Sequence, residues 1–245
     1  MTALPTVAIL AGGLGTRLGA LVRETPKPLL VVAGRPFVAW QLQLLARHGA
    51  RRVVLCVGYR GELIERAVGD GSRYGVEVRY AYDPPELAGT AGALRAALPL
   101  LGEAFQVLYG DTYLRVDYRA VQEAWRESGL PALMTVLRND GRWDASNALY
   151  RDGRVIRYDK RSPSPDMRWI DYGLGVLTPR ALELTGDTPD LPEAYHRLAE
   201  AGLLAGYEAS ERFYEIGTPE SLAEVEAFLR GLGSERRASR GVTRA

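Results

Sequence analysis

The stretch Ile9-Leu-Ala-Gly-Gly-Leu-Gly-Thr-Arg-Leu-Gly19, with Thr25-Pro-Lys-Pro28 close behind it, decides how this chain reads. The apolar run Val7-Ala-Ile-Leu10 has the composition of a buried strand and breaks at once into a glycine-rich turn. Glycines let backbone come close to a ligand and turn several N–H groups toward one anion. Arg17 adds a fixed charge, and Lys27, held between Pro26 and Pro28, adds a second. Strand, loop and two cations within thirty residues form a polyphosphate cradle.

Three glycine-loop chemistries compete here. A P-loop needs Lys-Ser/Thr directly after the loop, but Thr16-Arg17-Leu18 stands there. A dinucleotide loop needs Gly-x-Gly-x-x-Gly. Counted from Gly13, the last position is Leu18, and no acidic residue follows the next apolar run, where Gly34 and Arg35 stand. The third pattern, Gly-Gly-x-Gly-x-Arg followed by Pro-Lys-Pro, fits in full.

Working outward, the 245 residues carry 47% hydrophobic side chains, enough for a packed core. A net charge of +1 gives no global attraction to nucleic acid or to a membrane surface. No leader pattern and no long apolar run is present, so the expected location is the cytoplasm. The single cysteine, Cys56, lies in a strand-like run and reads as core. Only two of the 31 basic residues are lysines, Lys27 and Lys160. Where Arg is so prevalent, a retained Lys marks a place that needs a compact point charge rather than a planar fork.

Strand-like runs alternate with helical patterns from Val7 to Arg138, which predicts an α/β fold with a doubly wound, mostly parallel mixed sheet and helices on both faces, Rossmann-like. After Asn139 the rhythm changes. Arg151-Asp-Gly153 predicts a hairpin turn, and further strands follow near 169–177, 203–208 and 213–216. Thr218-Pro219-Glu220 predicts the start of a last helix. The expected organisation is one domain over 1–230. The Gly-, Ser- and Arg-rich segment 231–245 reads as a disordered tail.

Over residues 6–230 the chain resembles the sugar-1-phosphate nucleotidyltransferases, the nucleotide-sugar pyrophosphorylases. The start motif carries most of the resemblance. Gly89-Thr-Ala-Gly-Ala93, Gly110-Asp111, Tyr158-Asp-Lys160, Asp171-Tyr-Gly173 and Tyr214-Glu-Ile-Gly-Thr-Pro-Glu220 follow in the family's order. The chain is most similar to short single-domain members that act on heptose or mannose-type 1-phosphates. The resemblance implies Mg2+-dependent attack of a sugar 1-phosphate on the α-phosphorus of an NTP, releasing pyrophosphate, with a nucleotide-binding half at 1–140 and a sugar-binding half at 141–230.

It also implies roles. Arg17 and Lys27 are the catalytic cations, Arg17 toward the leaving pyrophosphate and Lys27 toward the α-phosphate and the incoming sugar phosphate. Ala11, Gly12, Gly13, Gly15, Thr16, Gly89 and Thr90 face the nucleotide. Glu86 is a candidate acceptor for guanine N–H groups, which tilts the nucleotide to GTP. Asp111, at the end of an apolar strand, suits Mg2+ as a hard oxygen ligand. Glu215 stands where the family often has Asp and is the second candidate metal ligand. Asn147, Asp159, Lys160, Asp171 and Gly173 are expected at the sugar phosphate and hydroxyls. Where some relatives have Glu-Lys-Pro, this chain has Asp159-Lys160-Arg161. His48 and His196 read as structural. Two rival classes remain: a nucleotide-sugar-binding regulatory protein, against which Arg17, Lys27 and Asp111 are all retained, and a metal-dependent glycosyltransferase, whose Asp-x-Asp is absent because Thr112-Tyr113 follows Asp111.

Overall fold

The computed structural model describes residues 4–13, 15–84 and 89–242, with backbone alone at Ala20 and beyond Leu232. In chain order the strands are β1 (Thr6–Leu10), β2 (Val31–Val32), β3 (Arg35–Pro36), β4 (Arg52–Val57), β5 (Glu77–Tyr82), β6 (Phe105–Tyr109), β7 (Thr112–Tyr113), β8 (Ala132–Arg138), β9 (Ala148–Arg151), β10 (Arg154–Tyr158), β11 (Trp169–Leu177), β12 (Leu204–Ala209) and β13 (Tyr214–Glu215). The helices are α1 (Phe37–Arg47), α2 (Gly61–Val68), α3 (Gly89–Leu101), α4 (Tyr118–Ser128), α5 (Pro179–Leu184), α6 (Leu191–Glu200) and α7 (Pro219–Val242).

Nine strands form one sheet in the order β5-β4-β1-β6-β11-β8-β12-β10-β9. The first four are mutually parallel. Beyond β6 the sheet turns antiparallel, apart from the parallel pair β8–β12. The expected mostly parallel character therefore holds only in the N-terminal half. In the C-terminal half β9 and β10 are joined by the short turn at Asp152-Gly153, and such a turn can only reverse direction. A further pairing of β9 with β11 folds that end of the sheet back on itself.

Alternation along the strands sorts the core onto two faces. Val7 and Ile9 face α1, α2 and α4 through Val38, Leu42, Leu45, Ile64 and Val121. Ala8 and Leu10 face the other way, toward Leu94 and Ala97 of α3, with α5 and α6 on the same side. Helix starts follow local chemistry. The Asp117 carboxylate accepts the N–H groups of Arg119 and Ala120 at α4, and the Thr178 hydroxyl accepts that of Ala181 at α5. Helix α7 continues through 231–242, where a disordered tail is expected; the Glu, Arg and Ala residues there are sound helix formers, and three glycines weaken but do not end it.

A third, smaller core matters most for the site. Leu18, Val22, Leu30, Val32, Phe37, Trp40, Tyr113, Ile216, Val225 and Leu229 pack together. This cluster binds the turn after the glycine loop to β7, β13 and α7. Widely separated segments are thereby locked at the C-terminal ends of β1 and β6.

Candidate active site

Two cavities open along the C-terminal ends of the parallel strands, where open α/β sheets bind ligands. The first, of about 370 Å3, is lined by Ala11, Gly12, Gly13 and Gly15 of the loop, by Lys27, Gly89, Thr90 and Asp111, and by Asp83, Tyr109 and Asp190 among others. The second, of about 620 Å3, is bounded by Asp159, Lys160, Arg161, Ser162, Glu193 and His196. Thr90, Tyr109 and Asp190 belong to both, so the cavities share a wall.

Lys27 Nζ lies 2.6 Å from Asp111 Oδ2, with both side chains largely buried. The turn carrying Asp111 is held from below. Gln41 Nε2 donates to the carbonyls of Tyr109 (3.0 Å) and Thr112 (2.8 Å), a tie that only the fold reveals. On the far side, β7 pairs with β13, Glu215 opposite Thr112, and Ile216 N–H donates to the Asp111 carbonyl at 2.9 Å. Glu215 thus arrives beside Asp111 as the sequence order suggests. Burial raises the Glu215 pKa, the Asp111 charge raises it further, and Arg17 and Lys27 oppose that shift. Arg17 and Thr16 are exposed on a 3-10 turn, Thr16–Val22, just outside the first cavity. A Cβ at Gly217 would stand 3.0 Å from Glu215 Oε1 and 3.3 Å from Arg17 Nη2, so backbone, acid and cation meet there.

The two carboxylates fit a hard cation. Magnesium takes one or two protein carboxylates and fills its remaining positions with water and phosphate oxygens. Among the described residues no group of three or more metal-ligating side chains exists, so a metal here would depend on substrate for the rest of its shell.

In the second cavity, Lys160 Nζ lies 3.4 Å from Asp171 Oδ2 and 5.7 Å from the centre of the Tyr109 ring. Asp171 is buried; it also accepts from the Tyr158 hydroxyl (3.1 Å) and from Gly173 N–H (3.0 Å). Asn147 Oδ1 accepts from Asp171 N–H, and its carbonyl from Asp159 N–H. Asn147, Asp171 and Gly173 stand behind Lys160, with these polar atoms engaged inside the protein. Gly173 has φ 99° within an irregularity of β11, a conformation that favours glycine. Asp159 does reach the cavity. Its Oδ1 accepts the N–H groups of Ser162 and Arg161, both at 2.8 Å, and these bonds hold its pKa below the usual carboxylate range.

Glu86 lies outside the described residues. A different carboxylate, Asp83, faces the first cavity. Its Oδ1 is buried with no partner among the described residues, and burial raises its pKa. A Cβ at Gly12 or Gly58 would come within 2.6 Å of Asp83 Oδ2, which accounts for both glycines. Nothing in the motif Tyr82-Asp-Pro-Pro85 distinguishes Asp83 from a turn residue. His196, read as structural, is packed against Tyr158, its Nδ1 2.6 Å from that carbonyl, yet it also borders the second cavity. Because a carbonyl only accepts, Nδ1 carries the proton.

The shared wall is built by crossed capping. Gly89 opens α3 at φ 67°, with a Cβ there running into the Pro189 carbonyl. That carbonyl accepts from Ala91 (2.8 Å) and Gly92 (3.2 Å). The Asp190 carboxylate accepts from Thr90 N–H at 3.3 Å, while the Thr90 hydroxyl accepts from Leu191 N–H, at the start of α6, at 2.7 Å.

Comparison with known proteins gives the family. The nucleotidyl transferase family model matches residues 6–143. The chain is 44% identical over 228 residues to an N-acetylmuramate alpha-1-phosphate uridylyltransferase of Neisseria meningitidis, covering 90% of this chain and 96% of that one. It is 29% identical to a mannose-1-phosphate guanylyltransferase catalytic subunit beta of Drosophila pseudoobscura over 91% of its own length, which spans 60% of that longer protein. Among solved structures, HddC from Yersinia pseudotuberculosis superposes with a TM-score of 0.75 at 25% identity, over 92% of this chain and all of that one. The inositol-1-phosphate CTP transferase of T. maritima, at 20% identity and a TM-score of 0.76 over 92% of this chain and 97% of that one, shares the fold. A glycine loop, a Lys-Asp pair and a second cation across a shared wall, in a chain so related, place this protein in the nucleotidyl transferase family as a sugar-1-phosphate nucleotidyltransferase, joining the nucleoside monophosphate of an NTP to a sugar 1-phosphate.

Proposed function

We propose that the first cavity takes the NTP and the second the sugar 1-phosphate, within a doubly wound frame. The observation that carries this is the shared wall with a lysine on each side, Lys27 in one cavity and Lys160 in the other. Two polyanions repel, and the site must cancel that repulsion before the atoms can meet. In-line displacement then needs positioning and charge stabilisation rather than a covalent intermediate. A phosphate oxygen of the sugar bonds to the α-phosphorus, the bond to the β-phosphate oxygen breaks, and pyrophosphate leaves. Lys27 receives the α-phosphate, Lys160 the sugar phosphate, and Arg17 the departing pyrophosphate. Asp111 and Glu215 would hold Mg2+, which when bound supplies charge neutralisation at the phosphate oxygens.

Asp83 is the base-reading residue in this scheme. An ionised carboxylate only accepts hydrogen bonds, so it matches guanine N1–H and N2–H2 or uracil N3–H, and it opposes the ring-nitrogen acceptors of adenine and cytosine. GTP, expected from the sequence, and UTP, the nucleotide named by the Neisseria relative, both satisfy it. Among the described residues no helix is long and apolar enough to cross a membrane. The test is a matrix of NTPs against sugar 1-phosphates with Mg2+, read by pyrophosphate release. Release with GTP or UTP, and little with ATP or CTP, is expected. Release from no pair would instead favour a nucleotide-sugar-binding regulator.

A further inference from the structure

The turn between β8 and β9, residues 139–146, is built around one buried side chain. Asn139 Oδ1 accepts Trp143 N–H at 3.1 Å, and its Nδ2 donates to the Asp144 carbonyl at 2.7 Å and to the Ser146 hydroxyl at 3.0 Å. The N–H groups of Asn139 and Asp140 both donate to the Arg168 carbonyl. A turn so fixed holds Trp143 in one place, although its side chain is 40% exposed and lines neither substrate cavity. The neighbours of the indole supply the reason. Its ring meets that of Phe213 edge-on, with centres 6.5 Å apart, and the Arg212 guanidinium lies 5.9 Å from its centre. The same guanidinium lies 4.7 Å from the centre of the Tyr214 ring, which stacks on Phe228 of α7 at 4.0 Å and 13°. Arg212 also pairs with Glu224 of α7 at 2.8 Å.

Trp143, Arg212, Tyr214 and Phe228 therefore make a continuous series of contacts from the turn to α7, with β13 inside it. A two-residue strand has too few ladder bonds to fix itself and depends on its neighbours. On one side β13 has Thr112 of β7 and the Asp111 carbonyl. On the other it has this series. The turn also acts on the Glu215 carboxylate through charge: burial and Asp111 raise the Glu215 pKa, and Asp144 adds to the rise.

We infer that Trp143 and Arg212 are positioning residues for the metal site: through Tyr214 they fix the short strand that brings Glu215 beside Asp111. This rests on reading Asp111 and Glu215 as the Mg2+ ligands. Because neither residue lines a substrate cavity, their effect falls on the cation rather than on NTP or sugar binding.

The test uses the full-length enzyme with Mn2+ as the probe. Binding of Mn2+ to enzyme saturated with an α,β-methylene analogue of the best NTP is read from water proton relaxation, and the Mg2+ concentration for half-maximal pyrophosphate release is measured beside it. Trp143→Ala and Arg212→Gln should each weaken Mn2+ binding about 3- to 10-fold, the loss expected for one aromatic or cation–π contact. The KM values of both substrates at saturating Mg2+ should hardly change. Trp143→Phe, which keeps a ring beside Arg212, should recover most of the affinity. A role confined to stability would lower Tm in Trp143→Ala and leave the Mn2+ affinity of the folded protein as it was. If Trp143→Ala does not fold, Arg212→Gln gives the same readout. Glu215→Gln is the control and should lose more affinity than either. Loss in Glu215→Gln with none in Trp143→Ala or Arg212→Gln overturns the inference alone. Wild-type Mn2+ affinity in Glu215→Gln overturns it together with the assignment of the metal ligand.

Discussion

Replacing Asp83 with Asn should make the protein more stable and the enzyme worse. The side chain is half-buried, with Oδ1 wholly enclosed and unpartnered among the described residues. Burial raises its pKa above the ordinary 3.8. An acid whose folded-state pKa exceeds its unfolded-state value weakens the fold at pH above both, because the charged form is disfavoured only in the folded state. That penalty shrinks as pH falls through the raised value and is gone below 3.8. Asn keeps an oxygen at that place, so only the charge part of the burial cost is relieved, about 1 kcal/mol with partial exposure counted. For a chain of this size ~1 kcal/mol corresponds to a rise of ~2–4 °C in Tm at neutral pH. The same change removes a charged acceptor from the base N–H. That loss is worth about 2 kcal/mol, or ~30-fold in kcat/KM for the preferred NTP. Initial rates of pyrophosphate release at saturating sugar 1-phosphate measure the second effect, and thermal unfolding followed from pH 7 toward pH 4 measures the first. A variant with wild-type kcat/KM, or with an unchanged or lowered Tm at neutral pH, refutes the assignment of Asp83.

Lys27→Ala and Asp111→Ala should each lower turnover at least ~100-fold with the fold retained by circular dichroism, as loss of a preorganised charge does in electrostatic catalysis. Asp111→Asn should in addition raise the Mg2+ concentration needed for half-maximal rate. Lys160→Arg should raise KM for the sugar 1-phosphate more than KM for the NTP; equal effects would remove the argument from lysine scarcity. Gly89→Ala places a Cβ against the Pro189 carbonyl at a left-handed φ. It should cost more than ~1–2 kcal/mol, seen as a Tm loss of at least ~4 °C. Cys56, whose thiol burial pushes up to about 12, should resist iodoacetamide in the native protein and react once denatured.

The N-terminal half was legible because its signals are local. Apolar runs, the glycine loop and the Pro-flanked lysine each determine their own conformation, and β1 lies where the apolar run Val7–Leu10 puts it. The antiparallel half was less legible. Direction and neighbour in a sheet are settled by long-range pairing, and β8 and β12, adjacent in space, lie far apart in sequence. Lys160 was findable by composition, since it is one of two lysines. Asp83 was not, because an Asp before two prolines looks like any turn until burial isolates one of its oxygens. Gln41 escaped for a similar reason: its site is a pair of carbonyls at 109 and 112 that only the packing of α1 against β6 brings within reach. Asp171 shows the converse. Its motif pointed to the site, but its oxygens are taken up in holding Lys160 and Tyr158.

The crossed caps between α3 and α6 bear on how the molecule folds. An isolated helix leaves its first N–H groups unsatisfied. Here α3 is completed by Pro189 and Asp190, and α6 in part by Thr90, so neither half of the chain carries all its own helix starts. A nascent chain released only as far as residue 140 would hold an α3 with an open end and a nucleotide cavity without its far wall. On the proposed assignment of the cavities, the nucleotide site therefore gains its far wall only when Pro189 and Asp190 reach the start of α3.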